Sequence, residues 1–566
     1  MTRPLKLAAG ALLVVAIIVA VAFWRTDSSP QTTESTLVAS FRSEPAHYNR
    51  YLEASAAADL LSLLTDDRLV RVDRATDSLE PALAESWTPS DDGLTYTLAL
   101  RRDVRFSDGT PFTSADVLFS TRVAYDRSLR GGLAMAALVD GQPIAFDAPD
   151  DFTVTMTLPS RFAPGLRVLD HLPILPRHKL LAAYENGTFA EAWQVGMPLE
   201  DRVGLGPFRL VEHVSGQRLV FERNPHYWRH DESGTPLPYL DRLTVTIIRD
   251  QNTEALRLES GETDLMGVGD IRPEDYATFK RASDAGRLRL IEAGVSLDPN
   301  LLLFNLTDEG RRRVPWLQDR RVRQAISFAV DRQAIIDTVY LGEAVPVYGP
   351  ITPGNTTWTS NTVPQYPCDL GRARELLASA GLADRDGDGV LDDKAGKPVR
   401  FSILTQAGHT LRERTVAVIQ EQLRDVGIAV DIVTLDVNGI PERWMKRDYD
   451  AIYFGLQTSA TDPAFSVGYW MSDGPFHLWN PGQPSPATEW EARIDELMRR
   501  QVAAPTLEER QQLFGEIQRI FGEELPAIYF AAPKVTLAIS PRVRNARPAI
   551  QAPQLLWAAD QLGMER

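Results

Sequence analysis

The stretch from Leu79 to Ser120, LEPALAESWTPSDDGLTYTLALRRDVRFSDGTPFTSADVLFS, constrains the fold more than any other part of the chain. Thr95, Thr97 and Ala99 alternate with Tyr96, Leu98 and Leu100, the period-two pattern of a strand with one buried face. Asp108-Gly109 followed by Pro111 supplies a turn, because glycine tolerates positive φ and proline presets its own. Thr113 stands three residues before Asp116, a relative of the capping box. The spacing predicts a helix that starts there and carries Val117, Leu118 and Phe119. The whole reads as a small β-unit running into a helix.

The same mixture recurs towards the C-terminus. Asp369 is a good N-cap for a helix bearing Ala373, Leu376, Leu377 and Ala380, with Gly381 in the C′ position. Glu413 to Val426 carries Val416, Ile419, Leu423 and Val426 at helical spacing, and Gly427 ends it. Ile428, Val430 and Ile432 then alternate as a strand, and Asp450 to Leu456, DAIYFGL, reads as a buried one. Strand, helix and strand in this order suggest a βαβ unit. Mixed signals throughout point to an α/β or α+β architecture, and no repeat period suggests a solenoid. A chain of 566 residues exceeds a single hydrophobic core, so two or three domains are expected.

Charge and cysteine usage exclude some functions. The formal net charge is −16, from 76 acidic and 60 basic residues, against a general nucleic-acid binder that must neutralise phosphates. Cys368 is the single cysteine, so no intramolecular disulfide forms. At the N-terminus, Arg3 and Lys6 precede an apolar run from Leu7 to Trp24, which reads as an export signal. Ala20-Val21-Ala22 offers small residues for cleavage after Ala22, while Phe23-Trp24 suits an uncleaved membrane anchor. Residues 25–35 read as a flexible tether. Either outcome places the folded part outside the inner membrane.

Further blocks follow in order: Gly204 to Trp228 (GLGPFRLVEHVSGQRLVFERNPHYW), Leu256 to Asp264, Phe304-Asn305, Asp319 to Ile336 (DRRVRQAISFAVDRQAII) and Glu509 to Tyr529. Together with Leu79–Ser120, this ordered set resembles the family 5 solute-binding proteins of ABC importers, the dipeptide, oligopeptide and nickel receptors. The resemblance implies an α/β, two-lobed periplasmic-binding-protein (Venus-flytrap) fold with an additional inserted domain and mixed sheets flanked by helices. It implies a discontinuous first lobe at 36–80, 204–295 and 526–566, an extra domain at 81–203, and a second lobe at 296–525. It implies a monomer that catalyses nothing, captures a small solute or short peptide by lobe closure, and delivers it to an ABC permease with its ATPase subunits. Two alternatives are a membrane-tethered sensor of the same fold and a cell-surface hydrolase.

In peptide-binding relatives the strand matching DAIYFGL leads into a loop whose aspartate pairs with the peptide's α-ammonium. Aligning Asp462-Pro463 on the family's Asp-Pro pair puts Ser459 where that aspartate belongs. A buried ammonium without a counter-charge costs several kcal/mol. Asp462 or Glu44 is then left to supply the charge, or the ligand is not a free peptide. The expected ligand set is Glu44, Tyr453, Ser459, Asp462, Trp470 and Trp479. Trp470 and Trp479 belong to an aromatic group with Phe465, Tyr469 and Phe476, which either stacks on ligand or packs beneath a long loop.

Asp384-x-Asp386-x-Asp388-Gly389, with Asp392 at the ninth position, looks like a calcium loop. Ala395 replaces the bidentate glutamate at the twelfth, so the choice lies between a structural Ca2+ clip and an acidic turn. No other cofactor is implied. His226 and His230 are four apart in what reads as a loop without a third ligand. Arg311, Arg312, Arg313, Arg320, Arg321 and Arg323 interleave with Asp308, Glu309 and Asp319, the pattern of a solvated, salt-bridged face. The sequence contains no Gly-x-Ser-x-Gly, phosphate-binding loop or His-Glu-x-x-His.

Overall fold

The computed structural model describes residues 34–129, 138–269, 271–456 and 461–565. The expected signal at 1–24, most of the 25–35 tether, and Ser459 lie outside the described residues. Among those described, no helix is long and apolar enough to cross a membrane.

Two large sheets define two lobes. The first runs in the order Phe208–Val214, Arg218–Arg223, Arg242–Ile247, Thr36–Phe41, Leu265–Met266, Ala531–Ile539 and Arg289–Val295, with Ala344–Pro346 pairing the near end of Ala531–Ile539. The second runs Ala429–Leu435, Arg400–Gln406, Ala451–Gly455, Asn300–Phe304 and Ala527–Tyr529. A smaller four-stranded sheet, Ala84–Pro89, Thr95–Leu100, Thr153–Thr157 and Ala145–Asp150, stands on the first lobe.

Two crossovers join the lobes. Arg289–Val295 passes through 296–299 into Asn300–Phe304, and Ala527–Tyr529 passes through Phe530 into Ala531–Ile539. Each lobe pairs these strands with one another, Glu292 with Thr536 in the first and Leu302 with Ile528 in the second. Because Ala527–Tyr529 pairs in the second sheet, the chain returns to the first lobe at Phe530 rather than at the expected 526.

The local chemistry explains these elements. Thr95–Leu100 is a strand with Leu98 and Leu100 buried. Gly109 adopts φ 86°, and the Thr113 backbone N–H donates to Asp116 Oδ2 at 3.0 Å to open the helix Ser114–Ala124. Asp369 caps Leu370–Ser379 through the Arg372 N–H at 2.8 Å. Arg400–Gln406, the helix Thr410–Arg424 and Ala429–Leu435 form the expected βαβ unit, in parallel register with Ile403 opposite Ile432. That helix begins at Thr410, three residues before the expected Glu413.

Gly204 and Gly206 have a packing reason. A Cβ at Gly204 would lie 1.9 Å from the Thr65 carbonyl oxygen, and one at Gly206 2.5 Å from the Thr65 carbonyl carbon. Both positions let the chain pass directly over the end of the helix Ala56–Thr65.

The inner strands of the second sheet are covered on both faces, so Asn300–Phe304 and Ala451–Gly455 read as apolar runs, while Ala429–Leu435 at the edge alternates. Leu302, Phe304, Ala451 and Tyr453 face the helices Arg320–Ala329, Leu370–Ser379 and Thr410–Arg424. Leu301, Leu303 and Ile452 face Glu489–Ala503 and Leu507–Glu524.

The arginine-rich segment is ion-paired in part: Arg313 with Asp448 and Asp450, Arg320 with Glu524, and Arg321 with Asp319. Arg323 departs from the solvated face expected of it. It is 2% exposed and donates to the carbonyls of Leu317, Glu524 and Leu525, closing the end of Leu507–Glu524.

Candidate functional site

In open α/β sheets, ligands bind in the crevice outside the carboxyl ends of the strands. Three parallel strands of the second lobe end on one edge, at Gln406, Leu435 and Gly455. Asn300 pairs with Gly455, so this edge lies beside the crossover from Val295 and turns towards the first lobe.

Arg412, in the first turn of Thr410–Arg424, lies along that edge. Its Nε donates to Asn300 Oδ1 at 3.0 Å and its Nη1 to Gln406 Oε1 at 2.9 Å. Gly455 makes room for it: a Cβ there would stand 2.7 Å from Asn300 Oδ1 and 2.9 Å from Arg412 Nη2. Among the described residues no carboxylate forms an ion pair with Arg412. Burial pulls its pKa below the usual arginine value, opposed only by the Tyr453 and Tyr340 phenols. A half-buried guanidinium fixed by two neutral amides, with no carboxylate partner among the described residues, is suited to an anionic group. Sequence reasoning missed Arg412, because one arginine in a helix full of charges carries no local signal.

The expected ligand residues are distributed differently. Tyr453 is 1% exposed, since its position in a doubly covered strand turns the ring under Thr410–Arg424, beside Phe530. Trp470 and Trp479 are also buried, stacked edge-on with Phe514 and Phe521 beneath Leu507–Glu524. All three lie within the core of the second lobe. In the aromatic group only Phe476 is largely exposed, and Phe465 packs on Phe162 and His171 with ring centroids 5.6 and 5.8 Å apart. Ser459 lies outside the described residues.

Both carboxylates nominated for a ligand ammonium are bonded within the chain. Asp462 Oδ1 and Oδ2 accept from Arg510 Nη2 and Nη1 at 2.5 and 2.8 Å, in a buried two-bond pair, and Oδ1 also caps the Ala464 N–H at 2.9 Å. Glu44 accepts from Gly216 N–H at 2.9 Å, from His213 Nε2 at 3.0 Å and from Ser215 Oγ at 3.2 Å. The Gly216 N–H is the main cause holding its pKa below the ordinary glutamate value, with His213 and Ser215 adding to it against some desolvation. Asp462 thereby fastens its loop to Leu507–Glu524, and Glu44 fastens the segment after Thr36–Phe41 to the hairpin turn 215–217.

Asp384, Asp386 and Asp388 are exposed, with carboxylate oxygens within 4.8 Å of one another. Asp384 accepts from Gly387 N–H at 2.7 Å and Gly389 N–H at 3.1 Å, and Asp388 from Val390 N–H at 2.8 Å. Asp392 stands apart from this trio. It is buried, and its Oδ2 accepts from the Arg385 N–H at 3.1 Å. These bonds are those of a tight acidic turn.

The two lobes and their paired crossovers define a two-lobed α/β architecture. Residues 78–477 match the model of the bacterial extracellular solute-binding proteins, family 5 Middle, and the chain belongs to that family. A probable ABC transporter-binding protein of Deinococcus radiodurans is 25% identical over 522 residues, covering 88% of this chain and 87% of that one. The oligopeptide-binding protein AppA of Bacillus subtilis is 26% identical over 519 residues, covering 88% and 86%. Its solved structure, in complex with a nonapeptide, matches with a TM-score of 0.68 at 24% identity, over 94% of this chain and 99% of that one. The substrate-binding protein CtaP of Listeria monocytogenes matches with a TM-score of 0.75 at 22% identity, over 94% and 100%.

Proposed function

We propose that this chain is the extracytoplasmic substrate-binding component of an ABC importer. It captures a small acidic solute, peptide or peptide-like, between its lobes, and Arg412 holds the solute's carboxylate. Family membership and relatives named for ABC transport and oligopeptide binding support the class. The observation that carries the ligand chemistry is Arg412, held by Asn300 and Gln406 on the crossover edge without an acidic partner among the described residues. The commitment of Asp462 to Arg510 and of Glu44 to the hairpin turn favours a ligand recognised by its anionic end.

The mechanism is selection of a closed form. Ligand bridging the lobes stabilises closure, and an inner-membrane permease with its ATPase subunits reads that form. The first lobe is 36–80, 204–295 and the chain after Phe530, the second 296–529, and 81–203 forms the additional domain. The protein works outside the cytoplasm, exported by residues 1–24, and releases its ligand unchanged.

Titration calorimetry with short peptides and their C-terminally amidated counterparts tests the ligand reading. Amidation, or Arg412→Met, weakens binding by about tenfold or more, the worth of a charge-assisted hydrogen bond. Equal affinity for acid and amide contradicts it.

A further inference from the structure

The lobes also touch at a point where the additional domain takes part. Arg167 Nη1 donates to the Asp77 carbonyl oxygen at 2.9 Å, and its Nη2 pairs with the Asp77 carboxylate. The same Nη2 donates to Thr461 Oγ1 at 3.1 Å, and that hydroxyl donates to Asp77 Oδ1 at 2.7 Å. The three residues close a ring of polar contacts from three parts of the molecule. Asp77 lies in the turn between Val70–Asp73 and Ser78–Pro81 of the first lobe, Arg167 in the helical turn Gly165–His171 of the additional domain, and Thr461 in the second lobe.

Two features mark the ring as more than a chance surface contact. Asp77 holds φ 59°, a left-handed conformation that few non-glycine residues adopt, and its carboxylate meets both Arg167 and Thr461. Thr461 is in turn fixed on its own lobe, its carbonyl accepting from Asn355 Nδ2 at 2.9 Å. Neighbouring contacts run the same way: the Ala163 N–H donates to the Val502 carbonyl at 2.8 Å, and Phe465 sits edge-on to Phe162.

We propose that Arg167 is a positioning residue for lobe closure, and that the Asp77–Arg167–Thr461 ring is a latch through which the additional domain holds the closed form. Pulling the lobes apart breaks the Arg167–Thr461 and Asp77–Thr461 bonds but leaves Arg167 on Asp77, so the first lobe and the additional domain keep a preformed receptor for Thr461. The latch lowers the free energy of the closed state alone, which slows ligand release without touching ligand. The proposal rests on the closure reading above but not on ligand identity.

The test is a disulfide reporter in the full chain. Cys368→Ser removes the exposed native thiol, and Ala163→Cys with Val502→Cys places thiols on the two sides of the Ala163–Val502 hydrogen bond. Under mild oxidation and without added ligand, the reporter crosslinks. Arg167→Met or Asp77→Gly slows crosslinking by about fivefold or more, the scale of a half-buried charged hydrogen-bond pair. Asp77→Gly separates latching from folding, because glycine adopts this φ without strain and its unfolding temperature is expected to hold. Equal crosslinking rates in the latch variants overturn the proposal, and so does a reporter that never crosslinks with the latch intact. Failure of the Arg412 reading would appear instead as unaltered ligand titration in Arg412→Met, with crosslinking unaffected.

Discussion

Asp462 and Arg510 show how a residue's type can be legible and its role not. Asp462 is an acid beside the expected ligand loop, and its sequence neighbours suit an amine contact. Its partner lies 48 residues away, and both side chains are almost wholly buried, 5% and 7% exposed. Removing one member of such a pair leaves an uncompensated charge, so Arg510→Met costs about 3–5 kcal/mol and lowers the unfolding temperature markedly. A ligand contact at Asp462 would instead leave stability nearly unchanged in Arg510→Met. Gly204→Ala meets the Thr65 carbonyl oxygen at 1.9 Å and costs about 1–3 kcal/mol or more, read by denaturant unfolding. Arg412 is the opposite case: nothing local separates it from Arg414 or Arg424, and only the pairing of Gly455 with Asn300 gives it a place.

At the scale of elements, what is decided within a few residues was legible. The capped helix at Thr113, the N-cap at Asp369, and the strand alternations at Thr95–Leu100 and Ala429–Leu435 follow from local hydrogen bonding and period, and the structure contains them. What joins elements was not. The Trp470 and Trp479 rings are aromatic in either role, and only the covering helix Leu507–Glu524 makes them core. Glu44 reaches His213 over 169 residues and seals the turn of the hairpin Phe208–Val214 and Arg218–Arg223. That clamp has a pH signature. The folded pKa of Glu44 lies below the ordinary glutamate value, chiefly through the Gly216 N–H, so the carboxylate stabilises the fold above the unfolded pKa. The contribution is lost as pH falls through the folded value. Glu44→Gln therefore melts below wild type at neutral pH, and the gap narrows on acidification past about 4.5; a gap independent of pH contradicts the clamp.

At the scale of the molecule, the resemblance carried by ordered blocks correctly implied two lobes and the binding-protein class, because the order of blocks reflects a topology that local patterns cannot. Ligand chemistry is set by which charges remain after the fold has used the others. Here Asp462 and Glu44 bond within the fold, and no carboxylate among the described residues pairs with Arg412 at the crossover edge. Native mass spectrometry of the purified full chain, with release and identification of whatever it carries, measures this most directly. The account predicts one small solute per chain bearing a carboxylate or other acidic group, and its absence from Arg412→Met purified alongside. A released compound with no acidic group, or one that Arg412→Met retains in full, contradicts it.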